Sequence, residues 1–227
     1  MKILYKYTTR SRPDNFIRGL NSIIQNSVSD NFHILVSIDG DDESMNNYKM
    51  RTYLAENKKV TVRCGLSTGK INAINRDLNE FTELCDWDIL VNMSDDMVFI
   101  EKGFDEVIRE SFREGLNQYI HFNDGNQKAN VCTMHIVGRD YYNHFKYIYH
   151  PDYESLWCDV ENDLVAKQLG CYKYMGDNIR LFQHLHPAWG LAPNDAQYLK
   201  TEAKEMWIKD EQTFNKRKLN NFYVQSK

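Results

Sequence analysis

Through the first third of the chain, short apolar runs alternate with stretches of helical periodicity, the pattern of βαβ units around a largely parallel sheet. Residues 3–7 read as a strand that is broken at Ser11-Arg12-Pro13-Asp14. Phe16, Ile17, Leu20, Ile23 and Ile24 then recur at the spacing of one buried helix face. Residues 33–38 form a second apolar strand that stops at Asp39-Gly40-Asp41-Asp42, and residues 60–63 form a third. Ser67-Thr68-Gly69 looks like a helix entry, with Ile71, Ile74 and Leu78 as the apolar stripe behind it. The strand at 88–92 runs straight into Ser94-Asp95-Asp96. Polar and acidic clusters thus fall at the carboxyl ends of the strands, the edge at which open α/β sheets bind ligands.

Beyond residue 100 the periods change. A helix with Phe104, Val107, Ile108 and Phe112 inward precedes strands at 119–123 and 131–137. An aromatic stretch containing Tyr141, Tyr142, Tyr147, Tyr149 and Tyr153 follows, read either as a sugar-stacking wall or as core packing. A helix at about 159–169 ends at Gly170, and a last, highly charged helix at about 195–218 should lie on the surface. No repeat or linker interrupts the chain, so its 227 residues are expected to form a single domain. We divide it into a nucleotide-sugar half (1–100), an acceptor and metal half (101–193) and a C-terminal helix (194–227).

Composition narrows the class. A hydrophobic fraction of 42% and a charged fraction of 26% describe a globular chain with a soluble surface. No apolar run approaches a membrane span and the start lacks a signal-peptide stretch, so a cytoplasmic protein is expected. Five cysteines without a C-x-x-C pair indicate neither a disulfide framework nor a zinc knuckle, and are expected to be reduced core residues. The net charge of −4 gives no overall field for a phosphate backbone. Lys216-Arg217-Lys218 is therefore read as the solvated end of a helix, not a nucleic-acid patch.

Five constellations carry candidate chemistry. Asp95 and Asp96 follow an apolar strand directly, and adjacent carboxylates repel unless a cation neutralises them. Mg²⁺ or Mn²⁺ would suit these oxygens, although Ser and Asp also favour plain turns. In His184-Leu185-His186-Pro187 both rings share one face of an extended segment, and imidazole suits Mn²⁺ better than Mg²⁺. His186 is preferred as the ligand, the other ring being an ordinary hydrogen-bonded histidine. Gly65-Leu66-Ser67-Thr68-Gly69-Lys70 is one residue short of a P-loop, and can either attract a phosphate or merely cap a helix. Asp39 is placed to accept hydrogen bonds from a base or ribose. Asp159, in an acidic helix start beside Trp157, is either a dipole partner or a general base.

In this order and spacing the pieces resemble a GT-A glycosyltransferase of the family 2 type over roughly residues 3 to 198. Thr8-Thr9-Arg10-Ser11-Arg12-Pro13 resembles the first-strand loop that touches the nucleotide, and Ser37-Ile38-Asp39 the second-strand acid that reads the base. The run from Gly69 through Lys70 and Asn72 to Asn75 is similar to the helix behind the diphosphate. Ser94-Asp95-Asp96 stands in place of the D-x-D metal motif. Because Ser occupies the first acidic position, ribose and metal duties fall to Asp95 and Asp96. Asp159-Val160-Glu161 matches the carboxylate-bearing helix, and the His184–His186 segment a late metal-binding histidine.

The resemblance implies a Rossmann-like, mostly parallel sheet flanked by helices. It also implies a metal-dependent transfer of sugar from a nucleotide-diphosphate donor, UDP-linked, with inversion. Thr8, Arg10, Arg12, Asp39, Lys70, Asn72 and Asp95 would bind the donor. Asp96, His184 and His186 would bind Mn²⁺ or Mg²⁺, and Asp159 and Glu161 would serve catalysis. The processive-synthase motif Q-x-x-R-W is absent, which favours single additions. The acceptor is open among a glycan, a lipid head group, a protein and a modified nucleobase. The competing readings are a sugar nucleotidyltransferase, disfavoured because the loop after the first strand has no glycine, and a non-catalytic nucleotide- or sugar-binding module on a degenerate fold.

Overall fold

A computed structural model describes residues 1–224. The last three residues of the region assigned to the C-terminal helix, 225–227, lie outside the described residues. The first half alternates as the sequence pattern requires: β1 (Ile3–Thr9), α1 (Pro13–Asn26), β2 (Phe32–Asp39), α2 (Tyr48–Ala55), β3 (Val60–Gly65), α3 (Lys70–Asn75), α4 (Leu78–Leu84) and β4 (Ile89–Met93). The second half contains β5 (Met97–Phe99), α5 (Phe104–Ser111), β6 (Tyr119–His121), β7 (Ile136–Gly138), α6 (Arg139–Phe145), α7 (Cys158–Gln168), β8 (Tyr172–Tyr174), β9 (Phe182–His184), α8 (Ala196–Thr201) and α9 (Lys204–Leu219).

The central sheet has seven strands in the order β3-β2-β1-β4-β7-β6-β8. β1 pairs in parallel with both β2 and β4, β2 with β3, and β6 with β8, while β7 runs against both its neighbours. Alternation along each strand divides the core between the two faces. Ile3, Tyr5 and Tyr7 join Ile34, Val36, Ile89 and Val91 on one face, whereas Leu4, Leu35 and Leu90 lie on the other. The second face turns polar toward the carboxyl edge. There Lys6 is fully buried, its ammonium donating to Ser37 Oγ at 2.6 Å.

Helix α1 starts with proline in its first turn and lays Phe16, Leu20 and Ile23 on the sheet. A side chain at Gly19 would collide with the Tyr7 hydroxyl, so glycine lets α1 press against β1 and the main chain of Met97. Ser22 Oγ of α1 accepts the Phe99 N–H at 3.1 Å, which ties β5 down beside it.

Several elements depart from expectation. The helix behind Ser67-Thr68-Gly69 breaks into α3 and α4 because Arg76 is extended and Asp77 left-handed (φ 70°), yet Ile71, Ile74 and Leu78 are all buried. Val107 turns outward and is 37% exposed. Tyr141, Tyr142, Tyr149 and Tyr153 pack in the core, so the reading of this stretch as a sugar-stacking wall fails for them. The expected last helix is two, interrupted at Glu202 and Ala203. It is also more than a surface helix: buried Asp210 accepts the N–H groups of Glu154, Ser155 and Leu156 at 2.7–2.9 Å. Arg217, in the basic run, is likewise buried and not solvated. Cys132, Cys158 and Cys171 are core residues as expected, but Cys64 is exposed. No described helix is long and apolar enough to cross a membrane.

Candidate active site

The sheet's carboxyl edge gathers the side chains that sequence reasoning singled out. β4 ends beside β1, and Asp95 just beyond it accepts the Thr9 hydroxyl at 3.2 Å. Asp95 and Asp96 then face different partners. Burial pushes the Asp95 carboxyl well above its usual range, and the Thr9 hydrogen bond opposes this only in part. Burial acts in the same sense on Asp96, but hydrogen bonding and charge from His184 outweigh it and hold that carboxyl well below the ordinary range. The two adjacent carboxyls are thus pushed in opposite directions, Asp95 mainly by burial and Asp96 mainly by its contact with His184.

Chain pairing explains how His184, far along the sequence, meets Asp96. β5 and β9 form an antiparallel two-stranded ribbon in which Met97 lies opposite His184. The Leu185 N–H donates to the Asp96 carbonyl at 2.7 Å, and His184 Nε2 stands 3.4 Å from Asp96 Oδ2. The chain then turns into a single 3₁₀ turn, Pro187–Trp189, for which His186 is the N-cap. His186 Nδ1 accepts the Ala188 N–H at 3.3 Å, which leaves Nε2 free to bind a ligand.

One ligand atom from each of Asp96, His184 and His186 lies within 4.8 Å of the others. Burial lowers the His186 ring to about 4, with the neighbouring His184 charge acting in the same direction, so its lone pair is available at neutral pH. Burial would also lower His184, but Asp124 and Asp96 overcome it and raise the ring to about 9. A buried carboxylate whose Oδ1 has no hydrogen-bond partner, beside two imidazoles, is a donor set suited to Mn²⁺ or another divalent ion. A metal there would displace the His184 proton. Trp189 covers both rings at centroid distances of 5.2 Å, and Tyr198 of α8 packs on His186 at 5.3 Å.

The nucleotide side is built from charge pairs. Asp39, at the end of β2, accepts from Arg10 at 2.9 Å and from Ser67 and Arg76 on its other oxygen at 2.5 and 3.2 Å. Arg10 also forks onto Asp41 at 2.7 and 3.0 Å. Arg12 forks onto Asp195 at 2.6 and 2.7 Å, tying the segment before α8 across the edge. Thr8 donates to the Ala73 carbonyl at 3.4 Å, joining β1 to α3. Asn72 accepts the Thr68 N–H at 3.2 Å and thus shapes its own loop. Lys70 is exposed at the start of α3, close enough to influence Asp159, His186 and Glu202 electrostatically.

Asp159 enters from α7. The residue before this helix, Trp157, is left-handed (φ 64°), an uncommon state for a bulky residue, and its ring is held against Trp207 and Phe214 of α9. The Asp159 carboxylate accepts the Val160 N–H at 2.8 Å. Burial raises its carboxyl above the usual value, against the Val160 hydrogen bond and the pull of Lys70 and His184.

Glu161 is not brought to this cluster. Both its oxygens are taken by Arg217 at 2.8–3.1 Å, and Oε2 also accepts the Tyr153 hydroxyl at 2.6 Å, so its place is structural. Sequence reasoning also passed over Arg76, Glu202 and Asp124. Arg76 could not be assigned without the break between α3 and α4. Glu202 falls at the break within the stretch expected to be a mere surface helix. Asp124 was signalled only by the turn-like Asn123-Asp124-Gly125.

No family model matches the sequence, and no curated protein does either. Solved structures do resemble it. The mannosyltransferase PcManGT from Pyrobaculum calidifontis, in complex with GDP-Man and Mn²⁺, aligns with a TM-score of 0.61 at 11% identity over 78% of this chain and 55% of its own. S. aureus TarS aligns with a TM-score of 0.57 at 10% identity, over 81% of this chain and 36% of its own. The 1-349 form of TarS in complex with UDP-GlcNAc aligns with a TM-score of 0.63 at 10% identity, over 87% and 60%. The chain thus spans between about a third and three-fifths of the length of these neighbours. At such identities the likeness speaks for architecture alone: the chain has a GT-A-like fold, with a mostly parallel central sheet flanked by helices.

Proposed function

We propose that the protein is a metal-dependent glycosyltransferase that moves a sugar from a UDP-linked donor to an acceptor hydroxyl with inversion. The observation that carries this reading is the convergence of Asp96, His184 and His186 at the sheet edge that also holds Asp39, Arg10 and Asp159. A divalent cation held by Asp96 and the two imidazoles would neutralise charge developing on the departing diphosphate.

The remaining work falls to the chain's own side chains. Asp39 stands between two guanidiniums, Arg10 and Arg76, at the carboxyl end of β2 where the base would bind. Asp95, held by Thr9, serves the ribose, and Lys70 and Arg12 serve the phosphates. The acceptor oxygen bonds to the anomeric carbon as the bond to the diphosphate breaks, and its proton passes to Asp159. A carboxylate whose proton affinity is raised by burial is suited to that role. The neighbours solved with GDP-Man, Mn²⁺ and UDP-GlcNAc support a nucleotide-sugar donor. We place the reaction in the cytosol, which the free thiols fit.

The test is Asp96→Ala. It should abolish both Mn²⁺-dependent thermal stabilisation by UDP-sugars and release of UDP from them. Unchanged turnover would reject the assignment.

A further inference from the structure

Behind the metal-facing residues lies a second acid that the reaction scheme above does not use. Asp124 follows β6, and its environment is unusually complete. Oδ1 accepts the N–H groups of Asn126 and Gln127 at 2.8 and 2.7 Å, with that of Lys128 farther off at 3.4 Å. Oδ2 accepts the Thr133 hydroxyl at 3.1 Å and stands 3.5 Å from His184 Nδ1. The residue is 1% exposed. On the opposite side of the same ring, Nε2 faces Asp96. The imidazole is therefore suspended between two carboxylates, one that faces the candidate metal and one that is locked in place by a turn and a hydroxyl. The Asn126 side chain adds a contact from the same turn, donating to the His184 carbonyl at 3.3 Å.

We propose that Asp124 is a positioning residue for the metal site: it holds the proton of His184 on Nδ1 and so directs the Nε2 lone pair at the cation. This inference rests on the metal-dependent reading above. The chemistry is general. A ligating imidazole binds through one nitrogen only when the other carries the proton, and a carboxylate on that second nitrogen fixes both tautomer and ring orientation. The turn itself uses only Oδ1, the oxygen that accepts the backbone N–H groups. The second oxygen is shared between the Thr133 hydroxyl and the ring: His184 Nδ1 is buried, makes no hydrogen bond among the described residues, and has this oxygen 3.5 Å away.

The division of labour between the two oxygens supplies a clean variant. Asp124→Asn keeps a carbonyl oxygen for the turn and removes the charge facing His184. We expect a cooperative melt close to that of the parent, and Mn²⁺ affinity, read from free Mn²⁺ by electron paramagnetic resonance, weakened about 10–100-fold. Mg²⁺, which depends less on imidazole, should lose less affinity. In a His184→Ala background the same substitution should change Mn²⁺ affinity by less than about twofold, since the residue acts only through that ring. A purely structural role would instead show the same loss in both backgrounds.

Unchanged Mn²⁺ affinity in Asp124→Asn, or an undiminished effect without His184, overturns the proposal. Should Asp124→Asn fail to fold, Thr133→Val tests the same link by releasing Oδ2. A measurably weaker Mn²⁺ site supports the proposal and an unaltered one overturns it. Asp96→Ala separates the two failures. If it too leaves Mn²⁺ binding intact, the metal site itself is misplaced, whereas if it alone abolishes binding, only the role of Asp124 is refuted.

Discussion

Replacing Glu161 by alanine should unfold the protein more readily without touching its chemistry. Glu161 is 3% exposed and Arg217 5%, and they are joined by contacts of 3.1, 2.8 and 2.9 Å. The same carboxylate takes the Tyr153 hydroxyl at 2.6 Å. Truncation would leave the buried guanidinium with only the exposed Asp152 carboxylate, 3.8 Å away, as counter-charge, a change that costs about 3–5 kcal/mol. The lost tyrosine bond belongs to the same cluster, so its energy overlaps with that figure and is not added to it. With an unfolding entropy that scales with chain length, this corresponds to a fall in melting temperature of about 6–10 °C. Circular dichroism would measure the melt, and Mn²⁺ affinity taken well below the new transition should match the parent. A melting temperature within about 2 °C of the parent would refute the energetic argument. A normal melt with abolished sugar transfer would return Glu161 to the catalytic group that its sequence position suggested.

Two further outcomes follow from buried charges. Burial lowers the Lys6 ammonium to about 7 from 10.5, so between those values the unfolded chain holds more protons than the folded one and stability rises with pH. Urea midpoints of wild type should therefore climb from neutral to alkaline pH, by at most about 1.4 kcal/mol per pH unit, relative to Lys6→Met. Parallel profiles for the two proteins would contradict this. Asp159→Asn should still bind UDP and Mn²⁺ but slow transfer by about 10²–10⁴-fold. Loss of donor affinity alone, measured by calorimetry, would mean that the base lies elsewhere.

The first half of the fold is legible in the sequence because each of its strands is a compact apolar run that ends in a polar cluster. The carboxyl-edge position of Asp39, Asp95 and Asp96 follows from that alone. The second half is harder to read because its strands are short. β5, β8 and β9 have three residues each, too few for any period to declare itself. The pairing of β5 with β9 is nonetheless what carries His184 to Asp96. Sequence could suggest that the histidines belong with the acids, but not the register that makes the distance small. Charge misled in the opposite direction. Asp210 and Arg217 in α9 read as solvent-facing, yet both are buried, because their partners, the N–H groups of Glu154 to Leu156 and the carboxylate of Glu161, are contributed from far along the chain.

Calorimetric titration of UDP in Mn²⁺ and, separately, in EDTA tests the central claim most directly, because it asks whether this cluster bridges a cation to a diphosphate. We predict a single site that requires Mn²⁺ and disappears on chelation. Equal UDP affinity in both buffers would contradict the account.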